Sequence, residues 1–109
     1  MPLNVNSLLT SMTGAAAQSL KGNWPGIKDA ATSSLKILAQ NLVDIETMKL
    51  AGTITQEKAA LLIDMQKNTV KMVIATEEGL GLLAAEAAIN AAVDVVRNVV
   101  NTAIGWPLL

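Results

Sequence analysis

The chain has 109 residues, a net charge of −1, no Cys and no His. This length fits one domain, and the composition excludes disulfides, thiolate chemistry and the commonest metal-binding and acid–base side chain. With so little net charge, no strong field exists to attract nucleic acid or anionic lipid.

Apolar residues make up 51% of the chain, which argues against disorder. Phe and Tyr are absent, and the only aromatics are Trp24 and Trp106. Packing therefore falls to Ala, Leu, Val, Ile and Met. An aliphatic, Ala-rich core suits closely approaching helices better than a sheet.

A first helix is expected from about Ser7 to Lys21, capped by Asn6 or Ser7. Leu8, Leu9, Met12, Ala16 and Leu20 form its apolar stripe. The segment Gly22-Asn23-Trp24-Pro25-Gly26 is expected to break the chain. Proline rejects a helix interior, and the residue before it avoids the α region.

The second helix is expected from about Ile27 to Leu50. Ala31, Leu35, Leu38, Leu42 and Ile45 alternate spacings of four and three, like the seam of a coiled coil. Gly52 suits the position just past a helix end. Thr55 suits an N-cap, with Glu57 in the first turn where the helix dipole favours a carboxylate. Ile54 is placed to pack back on Ala59 as a hydrophobic staple. Ala51 to Ile54 is thus read as a short connection in an antiparallel helical hairpin.

The third helix starts at Gln56, with Ala59, Leu62, Ile63, Val70, Val73 and Ile74 on its apolar side. Glu77-Glu78-Gly79-Leu80-Gly81 follows. Two close glycines suggest a break, but no turn cluster accompanies them, and two Glu residues in a last turn would oppose the dipole. The reading favours a kinked, continuous helix from Gln56 to Ile104 over a tight hairpin. Counting outward from the Thr53–Ile54 turn sets Trp24-Pro25 opposite Leu82-Leu83, so both arms are interrupted at one height. The expected fold class is all-α: a long antiparallel helical hairpin or a four-helix bundle, kinked near Trp24-Pro25 and Gly79–Gly81. One domain spans residues 1–109, with short tails at about 1–6 and 105–109, and residues 1–5 end near residues 103–109.

The last stretch, about Gly79 to Ile104, has almost no solvent face. Glu86, Asn90, Asp94, Arg97, Asn98 and Asn101 fall in one narrow arc, and the rest of the wheel is aliphatic. Leu82, Ile89, Val93, Val96 and Val100 make a bulky face. Ala84, Ala85, Ala88 and Ala92 make a small-residue face, continued by Val95 and Val99. A first helix of about four turns is too short to cover both faces, so a second subunit is expected on one of them, most simply across a two-fold axis. The expected interface is Ala84, Ala88, Ala92, Val95 and Val99, with Trp106 in the tail either anchoring a contact, such as docking another protein through the C-terminal tail, or capping its own core. A charge at Val96 is expected to break the oligomer.

Other classes fare worse. The stretch from Leu80 to Ile104 is long enough to span a bilayer, but Glu86, Asp94 and Arg97 would each cost about 2.5–3.5 kcal/mol on insertion. Membrane activity as an inserted oligomer, its polar stripe facing a lumen, is the alternative. Glu77, Glu78, Glu86 and Asp94 are spread along helices, without His or Cys to complete a metal site. Ser33, Ser34 and Thr32 have no base arranged beside them, and the glycines match no phosphate-binding loop. No nucleic-acid role is expected, since no Tyr or Phe is present for stacking. No Lys or Arg precedes Leu8-Leu9, which argues against a secretory signal and for a cytoplasmic setting. The sequence is therefore read as a non-catalytic structural or interaction subunit without a cofactor, self-associating through its C-terminal helix.

Overall fold

In a computed structural model that describes residues 3–76 and 81–109, four helices follow in order. They are α1 (Val5–Leu20), α2 (Trp24–Leu50), α3 (Gln56–Thr76) and α4 (Leu82–Ile104). Each helix packs on the next, and α1 closes the ring against α4, the most extensive pairing of all. Of the two diagonals, α2 and α4 touch lightly. The fold is a four-helix bundle.

The reading of one continuous helix from Gln56 to Ile104 is overturned. Such a helix would be about 73 Å long at 1.5 Å per residue, whereas the molecule measures 42 × 22 × 18 Å. The five residues between Thr76 and Leu82 reach at most about 20 Å. That is less than the roughly 31 Å length of α3, so α3 and α4, packed side by side, run antiparallel. Folding back lets α1 and α3 cover α4 from two sides, burying apolar arcs that a rod would leave in water. Glu77, Glu78, Gly79 and Leu80, on which the choice turned, lie outside the described residues, as do Met1 and Pro2.

Local signals explain the ends of the helices. Asn4, not Asn6 or Ser7, caps α1: its Oδ1 accepts from the Ser7 N–H at 3.0 Å. The chain then reverses through a 3-10 turn, Lys21–Asn23. This break falls before the Trp-Pro pair, because proline fits the first turn of α2, where its missing N–H would be unpaired anyway. The reversal holds Lys21 at φ 51°, ψ −116°. That conformation favours glycine and strains a residue with a Cβ.

The α2–α3 turn matches its sequence signals. Gly52 adopts φ 73°, the Thr53 N–H reaches Met48 O at 2.9 Å, and the Gly52 N–H reaches Lys49 O at 3.0 Å. This double bond pattern closes a helix with a left-handed residue past its end. Thr55 Oγ1 accepts from the Lys58 N–H at 3.3 Å and caps α3. Ile54, half-buried, packs on the core that contains Ala59.

One aliphatic core runs the length of the bundle. Leu35, Leu38, Leu42 and Ile45 of α2 are completely buried, as are Met12 of α1, Ile63 and Ile74 of α3, and Val100 of α4. Truncating any one of the leucines to Ala is expected to cost about 2–5 kcal/mol. α1 buries Ala16, and α4 buries Ala85, Ala88 and Ala92. Alanine on both helices permits a short interaxial distance.

The strained corner makes a direct prediction. Lys21→Gly relieves a conformation costing about 1–3 kcal/mol, against roughly 0.5–1 kcal/mol for glycine's greater freedom when unfolded. Thermal unfolding should therefore show a net gain of about 1 kcal/mol, or about 4 °C in Tm. Gly52→Ala should shift Tm down by a similar amount. A Tm unchanged or lowered in Lys21→Gly would contradict the corner geometry.

Candidate functional site

The α1/α4 seam holds an open groove of about 720 Å³. Its α4 wall presents Val95, Asn98, Val99 and Thr102, and its α1 wall presents Ser7 and Ser11, with Leu3 and Ala103 at one end. Leu3 thus lies beside Ala103, and the two chain ends meet as the hairpin count implied. A second groove of about 360 Å³ runs between α1 and α2, where Lys28 and Thr32 line it with Thr13 and Trp24.

The expected interface residues divide into three groups. Val95 and Val99 are 52% and 60% exposed, side by side on the α1/α4 seam. Ala88 and Ala92 are buried by the chain's own helices, and Ala84 is half-buried. The small-residue face therefore does not wait for a second subunit over its alanines; the bundle itself buries them. The first helix runs antiparallel along α4, from Leu3 beside Ala103 to Ser11 beside Val95 and onward. Val96 is likewise in the core, 3% exposed. A charge there would attack the fold itself and says nothing about association.

Trp106 forms the third group, and the tail is folded onto its own bundle. Gly105 ends α4 at φ 86°, and its N–H bonds Asn101 O at 2.8 Å. The chain then turns back, with the Leu108 N–H on Trp106 O at 2.9 Å. Asn101 Oδ1 accepts from the Leu108 and Leu109 N–H groups at 3.0 and 3.1 Å, and its Nδ2 donates to Leu109 O at 3.4 Å. Leu108 is buried and Trp106 half-buried.

Two charged residues one turn apart on α2 hold both chain ends. Glu46, 7% exposed, accepts the Leu3 N–H at 2.8 Å through Oε1. Lys49 donates to Ile104 O at the C-terminus of α4 and lies over the Trp106 ring, 5.0 Å from its centroid. A cation there meets the negative end of a helix dipole and a π face together. Neither role was read from the sequence. A signal for Glu46 existed: it lies one turn beyond Leu42, on the apolar seam of α2.

The remaining polar groups offer little chemistry. Asp94 pairs with Arg97 at 2.6 Å as their spacing implied, and Asp64 with Lys67 at 3.7 Å. Both pairs are solvated and contribute little to stability. Thr10, Thr13, Thr47, Thr69 and Thr76 donate their hydroxyls to carbonyls of their own helices. Among the described residues, no three acidic side chains gather to hold a metal ion. No helix of the described residues is long and apolar enough to cross a membrane.

The tail clamp predicts the behaviour of Asn101→Ala. Two part-buried hydrogen bonds, from the Leu108 and Leu109 N–H groups to Asn101 Oδ1, are lost, at about 1–3 kcal/mol together. In a Trp24→Phe background, the emission of Trp106 should shift to the red, and the Leu108 and Leu109 amides should exchange at least tenfold faster. Unchanged emission would mean that packing alone holds the tail. No protein-family model, curated protein or solved structure matches the chain.

Proposed function

We propose that this protein is a non-catalytic structural or protein-interaction subunit that self-associates through its C-terminal helix. The observation that carries the reading is the exposure of Val95 and Val99 on α4, at 52% and 60%, beside an open groove. Adjacent β-branched residues in water form a natural contact once a matching surface covers them. Burying the pair contributes on the order of 2–4 kcal/mol. The lack of His and Cys supports a role without catalysis. The contact residues are Val95 and Val99, rather than the buried alanines. The clamped tail, with Trp106 half-covered by its own chain, favours a bundle-end cap over a docking peptide.

Light scattering with size-exclusion chromatography tests the reading. The wild type should elute as an oligomer, and Val99→Lys as a folded monomer with the wild-type circular dichroism spectrum. The mass should be unaffected by neutral or anionic liposomes. A monomer that transfers to liposomes would favour the membrane-active alternative and overturn this one.

A further inference from the structure

The charged residues are distributed unevenly around the bundle. None lies on α1, whose exposed positions are Asn6, Ser7, Thr10, Ser11, Gly14, Gln18 and Ser19. The three on α4 are Glu86, Asp94 and Arg97. On the helical wheel, Glu86 and Arg97 project about 160–180° away from Val95, and Asp94 about 100° away. The α4 wall of the groove is instead valine, asparagine and threonine. By contrast, α2 and α3 carry Lys28, Asp29, Lys36, Asp44, Glu57, Lys58, Asp64, Lys67 and Lys71. Apart from Lys21 at the end of α1, the α1/α4 side of the bundle is therefore uncharged, and the opposite side is studded with both signs.

From this we infer that the α1/α4 side is the contact of a two-fold symmetric dimer, with α1 supplying half of it and a second copy of this chain as its occupant. The inference rests on the self-association reading and adds its geometry. Depletion of charge, more than greasiness, distinguishes the centre of a protein interface from ordinary surface. An uncharged side meets its own copy without like-charge repulsion. A partner with charged groups would have to desolvate them there without compensation. The area also suffices. A side 42 Å long and 18–22 Å wide offers on the order of 800 Å², the share each partner contributes to a stable interface of standard size. In such a dimer, the exposed valines of one copy would seat against the groove that Val95 and Val99 line in the other. The short side chains of Ser7 and Ser11 keep the α1 part of this side low, so the helices of the two copies can approach closely.

The experiment places a charge on α1, where no fold contact is disturbed. Ser11 is exposed, so Ser11→Lys should fold as the wild type does. It should weaken dimerisation at least about tenfold by light scattering or sedimentation equilibrium. Leu61→Lys, on α3, should leave the dimer unchanged. The chain has no Cys, so single substitutions Ser7→Cys, Ser11→Cys, Val95→Cys and Val99→Cys report the axis directly. On oxidation, those nearest it should give covalent dimers that stop at two copies. If Val99→Lys abolishes association while Ser11→Lys does not, the α1 half is wrong and self-association through α4 stands. If Leu61→Lys abolishes it while Ser11→Lys does not, the contact lies on α3. A wild type that remains monomeric at all concentrations overturns both the symmetry and the self-association beneath it.

Discussion

The structure depends on the packing of α1 against α4. That pairing closes the ring of helices. Ala85, Ala88 and Ala92 of α4 are buried, as are Ala16 and Met12 of α1. With no aromatic side chain among its buried residues to span a gap, an aliphatic core of this length reaches close-packed density only if its helices approach closely. Small residues on both sides of one seam achieve this. The same choice leaves the outer side of the seam made of short, uncharged side chains, with Val95 and Val99 exposed among them. Internal packing and external surface thus follow from one compositional decision.

The two chain ends depend on a second constraint. A helix end leaves polar backbone groups unpaired, and both ends of this chain lie at the same end of the bundle. Glu46 satisfies the Leu3 N–H, Lys49 the Ile104 carbonyl, and Asn101 the Leu108 and Leu109 N–H groups. The N-terminal segment so held also forms one end of the α1/α4 groove. Loss of the Glu46 bond would therefore alter the groove as well as the terminus.

Much of the architecture was legible where the signals were local. The turn at Gly52 and Thr55, the seam of α2 and the Asp94–Arg97 pair all depend on residues a few positions apart. The reversal between α3 and α4 was not legible. Its Gly79 and Gly81 lack turn-forming neighbours, and the outcome is decided by burial of α4 under helices distant in sequence. The start of α2 was misplaced because proline both ends helices and begins them, and only tertiary context distinguishes the two. At the site, the exposure of Val95 and Val99 was foreseeable from the wheel. The burial of Ala88 and Ala92 within the bundle was not, since it requires knowing which helices pack along α4. Glu46 carried a signal in its place on the apolar seam, whereas the roles of Lys49 and Asn101 exist only once the tail has folded back.

A concentration series of amide chemical shifts tests the account most directly. As the protein associates, shifts should change along one side alone: Ser7 and Ser11 on α1, and Val95, Asn98, Val99 and Thr102 on α4. Shifts that move instead at Leu61, Met65 and Met72 on α3, or that do not change with concentration, would contradict it.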